Sequence, residues 1–189
     1  MDALMILLVV AVAIAGLLIV IYNRLVALRQ KRLNAFSDVD VQLKQRYDLI
    51  PNLVETVKAY AKHEDKVFMQ VTEARASAMK SRDAGIEGRA AAESVLGAAM
   101  MQLMAVAENY PELKANQNFQ QLQSELSDLE NKIAAARRFF NNATSELNTA
   151  IQQFPAVLIA GSLGFKSEVF FELSEAEAEA AQKPPEVNF

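Results

Sequence analysis

Residues 45–64 read QRYDLIPNLVETVKAYAKHE, and the way this stretch folds decides how many helices the chain forms. Both flanks are rich in residues that favour helices, yet Pro51 interrupts them, and the stretch ends in the chain's single histidine, His63, beside Glu64. A proline inside a helix costs about 3 kcal/mol or more, whereas in a first turn its missing N–H is harmless. The sequence therefore predicts that the chain either kinks or reverses direction here.

Potential capping residues around Pro51 favour a helix that restarts at this point. Asp48 is a suitable N-cap for a helix that begins before the proline, and Asn52 with Glu55 resembles a capping box just after it. A reversal would give four antiparallel helices, and a kink at Pro51 would give a three-helix bundle whose first helix is bent. Taken alone, these residues leave both arrangements open.

An uncharged apolar run stands at the start of the chain. Residues 3–22 read ALMILLVVAVAIAGLLIVIY, and about 20 residues at about 1.5 Å each are enough to cross a hydrocarbon core of roughly 30 Å. A cleaved signal peptide fits poorly, because Asp2 is the only charge ahead of the run and the run is longer than the usual apolar length of about 7–15 residues. We therefore predict a transmembrane anchor over residues 1–22.

Basic residues follow the apolar run before the first acidic residue does. They are Arg24, Arg29, Lys31 and Arg32. By the positive-inside rule, these topology-setting charges predict an N-terminus outside the cell and a long C-terminal part in the cytoplasm. The predicted location is the inner cell membrane, crossed once.

Apolar periodicity predicts that the rest of the chain is helical. Apolar residues recur at spacings of three, four or seven over residues 53–78, they mark a buried face over 96–107, and they alternate spacings of three and four over 119–154. The segment SRDAGIEG at 81–88 is predicted to be a loop, with the next helix starting at Arg89. No strand alternation of any length is present, so the predicted fold class is all-α.

Composition excludes several functional classes. The chain has no cysteine, which excludes disulfides, thiol catalysis and Cys-ligated metals, and its net charge of −4 argues against a nucleic-acid partner. His63 belongs to neither the Glu-x-x-His nor the His-Glu-x-x-His metal pattern, and the sequence has no Gly-x-Ser-x-Gly motif. We expect no catalytic, cofactor-binding or metal site. The acidic residues 173–189 are predicted to form a disordered tail.

Several motifs resemble the LemA family of bacterial membrane proteins. They are YNRLVALRQ at 22–30, DVQLKQRYDLIPNLVETVKAYAKHE at 40–64, AENYPELKANQNFQQLQSELSDLENKIAAARRFFN at 107–141, FP at 154–155 and GF at 164–165. The resemblance implies one N-terminal transmembrane helix and a cytoplasmic, antiparallel, up-and-down four-helix bundle over residues 23–172. It thus favours a reversal between Asp48 and Asn52. The chain departs from the family pattern at Phe36 and Phe140, where Trp and Tyr are common.

Polar residues on the predicted helices are candidates for a network or a partner surface. Glu130, Arg137, Asn141 and Asn148 form a stripe along the last helix at spacings of seven, four and seven. The other candidates are Asp40, Arg46, Asp48, Asn52, Glu55, His63, Glu64, Arg75, Glu108, Asn109, Lys114 and Asn116. These residues either pair between helices and fix their register or form a recognition surface for another protein.

We expect a function based on association without catalysis. The leading hypothesis is a self-associating scaffold or assembly factor, a homo-oligomer whose other partner is the lipid bilayer. Gly16 is the only glycine of the predicted anchor, so no GxxxG motif supports a dimer there. Alternatives are a signalling or adaptor module for a membrane partner such as a protease, and a membrane-remodelling protein. The apolar residues 156–165 are expected near the bilayer, where they cap the bundle, insert into the interface or join protomers.

Overall fold

The computed structural model describes residues 3–172, and every regular element in that range is a helix. The α-helices are α1 (Ala3–Lys58), α2 (Asp65–Lys80), α3 (Gly85–Glu108), α4 (Pro111–Lys114) and α5 (Gln117–Gln152). A short 3-10 helix at Ser81–Asp83 lies between α2 and α3, and another at Ala156–Leu158 follows α5. No strand occurs between residues 3 and 172, which confirms the all-α class. The predicted tail at 173–189 lies outside the described residues.

The N-terminal part of α1 is an exposed apolar helix. Residues 3–20 are exposed throughout, and an 18-residue window of α1 has a mean hydropathy of 3.4 with none of it buried. This helix is long and apolar enough to cross a membrane. α3 also passes that test, with a mean hydropathy of 1.5 and 33% of its window buried.

α1 passes through Pro51 without ending, which corrects the predicted helix break and the predicted reversal between Asp48 and Asn52. Pro51 has no N–H to donate to the carbonyl of Tyr47, four residues earlier. Arg75 on α2 supplies the missing donor, because its Nε lies 2.7 Å from the Tyr47 carbonyl oxygen. The helix therefore continues to Lys58, and the chain reverses over residues 59–64.

The predicted caps around Pro51 are consequently wrong. Asp48 lies inside α1, where its carboxylate accepts a hydrogen bond from Lys44 at 2.6 Å, and Asn52 and Glu55 lie on exposed positions of the same helix. Glu64 instead precedes α2 as its N-cap residue. Capping residues inside a helix do not break it when tertiary contacts stabilise both sides.

The start of α3 also differs from the prediction. The predicted loop at 81–88 contains one 3-10 turn, and α3 begins at Gly85, not at Arg89. Gly85 has a φ of +74°, a conformation that glycine adopts without a steric penalty. The turn is therefore shorter than its glycines and charges suggested.

Among the described residues, 3–38 and 136–169 form the first of two compact units. In this first unit α1 and α5 are antiparallel. Lys31, Arg32 and Phe36 of α1 contact Glu146, Thr144 and Phe140 of α5, respectively. One apolar cluster of the unit contains Leu25, Leu147, Ala150, Ile151, Ala160 and Phe165, with Ile21 and Leu28 packed against it. Each fully buried aliphatic side chain of this kind contributes roughly 1.5–3 kcal/mol.

Among the described residues, 39–135 and 170–172 form the second unit. The contacts in this unit show that α1 is antiparallel to α2, parallel to α3 and antiparallel to α5. The large side chains buried here include Leu43, Ile50, Leu53, Val57, Leu96, Leu103, Phe119 and Ile133. Their spacing of three, four, seven or fourteen within each helix is the reason that each helix has one buried face.

Candidate functional site: buried ion pairs between helices

A buried polar cluster joins three helices of the second unit. Arg46 on α1 and Glu93 on α3 are only 5% and 4% exposed. The Arg46 guanidinium pairs with one Glu93 carboxylate oxygen, and the hydroxyl of Tyr47 donates to the other. Arg46 Nη1 also donates to Glu130 Oε1 on α5 at 3.0 Å. The Glu93 carboxylate therefore receives a donor on each of its oxygens.

Electrostatics keep this cluster in one protonation state. Burial acts to lower the pKa of Arg46, but the carboxylates of Glu130 and Glu93 outweigh it and raise that pKa. Burial, followed by the hydrogen bond to Glu93, raises the pKa of Tyr47 well above its ordinary value of 10.0. Arg46 thus stays charged and Tyr47 stays a neutral donor. Removing one partner from such a pair typically costs about 3–5 kcal/mol, because the other charge is left buried.

A second group of charges lies in the same unit. Asp40 on α1 pairs with Arg89 on α3, which is 3% exposed, and Arg82 lies 3.8 Å from the other Asp40 oxygen. A pocket of about 250 Å³ lies beside them, which is small for a ligand site. Its lining comprises Asp40, Val41, Lys44, Tyr47, Ala78, Met79, Arg82 and Arg89. The Asp40 carboxylate thus attracts guanidinium groups on both of its oxygens, and this arrangement is suited to holding helices together.

Arg89, Glu93 and Tyr47 were absent from the predicted site residues. Arg89 and Glu93 are four residues apart on α3, and they continue the buried stripe formed by Leu96, Met100, Leu103 and Ala107. A charge that falls in register with an apolar stripe points to the core and therefore needs a buried partner. That register was the signal by which sequence reasoning could have found both residues.

Arg32 forms the polar centre of the first unit. Its Nε donates to Thr144 Oγ1 at 3.0 Å, Nη2 donates to the Val169 carbonyl at 3.1 Å, and Nη1 lies 3.1 Å from Glu168 Oε2. The guanidinium also stacks 4.8 Å from the centroid of the Phe140 ring. Burial lowers the pKa of Arg32, and Glu168 opposes that shift. Arg32 was predicted to set membrane topology. In the structure it holds residues 168–169, here called the C-terminal segment, to α1 and α5.

Asn148 binds the same C-terminal segment through its side-chain amide. Its Nδ2 donates to the Glu168 carbonyl at 2.9 Å, and its Oδ1 accepts from the Glu168 N–H at 2.8 Å. Of the other predicted stripe residues, Glu130 contacts Arg46 as described, and Arg137 and Asn141 are half-buried and engaged with other groups of the protein. The stripe thus mixes residues of the two units, each with local interactions.

The remaining predicted residues lie apart from these clusters. Asn116 caps α5 by accepting from the Phe119 N–H at 3.1 Å, and it donates to the Tyr60 hydroxyl at 3.0 Å. Lys31 pairs with Glu146 at 2.7 Å. The exposed ones are Arg24, Asp48, Asn52, Glu55, His63, Glu108, Asn109 and Lys114, and Glu64 is half-exposed. Among the predicted residues, Arg46 and Glu130 are a pair that the structure brings into direct contact.

No group of three or more His, Cys, Asp or Glu side chains within residues 3–172 is placed to hold a metal ion. The half-buried carboxylate of Asp40 and the buried carboxylate of Glu93 each face an arginine of another helix. These clusters join neighbouring helices through ion pairs.

An exposed apolar N-terminal helix, followed by helices joined through buried ion pairs, defines a membrane-associated, all-helical class of protein. The chain belongs to the LemA family, whose model matches residues 35–189. The resemblance drawn from its motifs is thereby confirmed.

The individual relatives have low sequence identity to this chain, but the alignments cover most of its length. The chain is 26% identical over 184 residues to the magnetosome protein MamQ of Magnetospirillum gryphiswaldense, an alignment that covers 85% of this chain and 68% of that protein. It is 26% identical over 185 residues to magnetosome protein MamQ 2 of Paramagnetospirillum magneticum, with the same coverage. It is 25% identical over 147 residues to protein LemA of Metamycoplasma hominis, covering 76% of this chain and 65% of that protein.

Proposed function

We propose that this protein is a membrane-anchored, non-enzymatic helical bundle that acts as a self-associating scaffold or assembly factor at the bacterial cytoplasmic membrane. The observation that carries the proposal is the exposed apolar face of α3. α3 is apolar enough to pass as a membrane span, yet only 33% of its apolar window is buried. Exposed apolar surface of this extent typically marks an interaction site.

The exposed face of α3 has the spacing of a helix-packing seam. Ala91, Val95, Ala98, Gln102 and Ala105 are exposed at spacings of four, three, four and three, which is the pattern of residues that face a partner helix in a coiled coil. Val95 is 60% exposed. A groove of about 420 Å³ runs between this face and α2, and its lining residues are Gln70, Glu73, Ala74, Ser77, Val95, Ala98, Ala99 and Gln102. The occupant that we propose is a helix of a second copy.

Internal pairing supports a scaffold more than a catalyst. The helix directions within the second unit are those of an up-and-down four-helix bundle made of α1, α2, α3 and α5, which is the arrangement that we propose. The most buried charges serve helix register, so the exposed faces are left for association.

We further propose that the N-terminus lies outside the cell and that residues 23–189 lie in the cytoplasm. Arg24 and Lys31, exposed just beyond the apolar run, support this orientation. The chain has no cysteine, so a single exposed cysteine at Met69 tests it. A membrane-impermeant maleimide should label Met69→Cys only after intact cells are opened. Labelling of intact cells would contradict the orientation.

Self-association is tested by light scattering of the full-length protein in detergent, with the detergent mass subtracted. The wild type should be a discrete oligomer, and Val95→Glu should shift it to smaller species because a charge would enter the seam. Val41→Glu is the matched control, since Val41 is also exposed, at 52%, but lies outside the α2–α3 groove. A wild type that stays monomeric at all concentrations would refute self-association. Crosslinking in cells would then test the adaptor alternative, and vesicle deformation the remodelling alternative.

A further inference from the structure

We propose that residues 153–165, here called the interfacial loop, insert into the interfacial region of the leaflet from which the anchor emerges. The inference rests on the proposed membrane anchor and adds a second lipid-contacting surface to it. The partner is a lipid headgroup layer.

The depth of the loop follows from its contacts with α1. The apolar run of α1 ends at Tyr22, and about 20 helical residues span roughly 30 Å, so Tyr22 lies at the boundary of the hydrocarbon core. Tyrosine is enriched at that level in membrane proteins. The ring of Phe165 stands edge-on to Tyr22, with 6.0 Å between the ring centroids, and Ile21 packs on the cluster that contains Ala160 and Phe165. The loop therefore lies at the same level as the end of the anchor.

The loop presents large apolar side chains away from its own core. Ala156, Ala160 and Phe165 are buried, whereas four large apolar side chains of the loop are exposed. The exposed ones are Phe154 at 79%, Leu158 at 72%, Val157 at 51% and Leu163 at 40%. Exposure of this kind in water is costly, but beside a bilayer it supplies the apolar face of an interfacial segment. The anchor and the loop thus both carry exposed apolar side chains.

Backbone hydrogen bonding within the loop permits shallow insertion. The Val157 N–H donates to the Gln153 carbonyl at 2.9 Å, the Ala160 N–H to Ala156 at 2.8 Å and the Phe165 N–H to Ala160 at 2.9 Å. Backbone groups without hydrogen-bond partners are excluded from the hydrocarbon core. Because most of the loop's backbone groups are paired, the loop reaches the interface, and it does not cross the membrane.

Basic groups at the same level fit an anionic headgroup layer. Arg29 Nη2 donates to the Gly164 carbonyl at 2.9 Å, and its guanidinium lies 4.0 Å from the centroid of the Phe165 ring, which fastens the loop to α1. Arg24 and Lys166 are exposed on either side of this contact in sequence. Cations at this depth are attracted to anionic lipids.

Depth-dependent fluorescence quenching tests the inference on the full-length protein. The natural chain has no cysteine, so each variant carries one environment-sensitive NBD label, at Phe154→Cys, Leu158→Cys, Gly16→Cys or Phe139→Cys. The vesicles contain phosphatidylcholine and phosphatidylglycerol, with a nitroxide either on the headgroup or deep in the acyl chain. Gly16, six residues before Tyr22 with open space around it, reports on the anchor about 9 Å inside the boundary.

Phe139 is the matched control for an exposed aromatic residue outside the membrane. It is 48% exposed, and its ring lies 6.0 Å from Lys31 Nζ. Lys31 is nine residues beyond Tyr22, which places this control about 14 Å outside the boundary.

We expect the deep nitroxide to quench Gly16 most strongly, the headgroup nitroxide to quench Phe154 and Leu158 most strongly, and neither to quench Phe139. If the label at Gly16 is quenched and the labels at Phe154 and Leu158 are as little quenched as the label at Phe139, the anchor is supported and the proposed insertion of the loop is refuted. If Gly16 is not quenched, the proposed anchor fails and the loop fails with it. The label at Leu158 would be protected from quenching if a second copy covered it, and adding lipid at constant protein would remove that protection by separating the copies. That result would identify a second copy as the occupant and would also overturn the inference.

Discussion

Replacing Arg75 tests whether its hydrogen bond to α1 is what lets a helix continue through Pro51. Arg75→Met keeps most of the aliphatic stem and removes the donor that reaches the Tyr47 carbonyl at 2.7 Å. A hydrogen bond from a charged donor is worth about 1.5–3 kcal/mol, and Arg75 is half-exposed, so we expect a loss of about 1–2 kcal/mol in the free energy of unfolding. In a Pro51→Ala background the new N–H of residue 51 can donate to Tyr47, and the same loss should fall below about 0.5 kcal/mol.

The assay is urea unfolding of the full-length protein in a mild detergent, followed by helical circular dichroism for the wild type, both single variants and the double variant. Pro51→Ala alone should stabilise α1, because proline is about 3 kcal/mol less favourable than alanine inside a helix. Lys66→Met, at an exposed position of α2, controls for the loss of a charge from that helix. Independent sites add to within about 0.3–0.5 kcal/mol. Additive effects of Arg75→Met and Pro51→Ala would therefore refute the reasoning.

Three further outcomes follow from the buried contacts. Glu93→Ala leaves Arg46 without its buried carboxylate, so urea unfolding should show a loss of about 3–5 kcal/mol. The pKa of Tyr47 is raised in the folded state, so its contribution to stability is complete below about pH 10 and is lost as pH rises through the folded pKa. Tyr47→Phe should therefore unfold with a weaker alkaline dependence than the wild type in denaturant titrations between pH 8 and roughly 11. Asn148→Ala removes both hydrogen bonds to the Glu168 backbone, and limited proteolysis should cut near that residue faster than in an Asn142→Ala control.

The last long helix could be read from the sequence, because its apolar spacing is regular. The predicted helix over 119–154 corresponds to α5 at Gln117–Gln152, because an amphipathic stripe of that length specifies one buried face. The position of the first reversal could not be read in the same way. Pro51 signals a break locally, and the donor that replaces its lost hydrogen bond comes from Arg75, on a different helix.

The polar contacts were less predictable than the helices. Arg46 and Glu130 were both candidate site residues. The residue that joins Arg46 to α3 is Glu93, which lies in a mostly apolar helix and was not among the candidates. Pairing depends on the rotation of each helix about its axis, and a rotation of that kind is fixed only when the partner faces are known. Residue spacing therefore identified the faces better than it identified the pairs.

The four basic residues after the apolar run are not interchangeable in a topology experiment. Arg32 is buried against Glu168 and Thr144, and Arg29 is stacked on Phe165, so reversing either charge would disturb folding before it altered insertion. Arg24 is exposed, and its reversal leaves those contacts intact. A scientist who mutated all four together would record a loss of protein and could mistake degradation of misfolded chains for inverted insertion. Arg24→Glu is the substitution that separates the two.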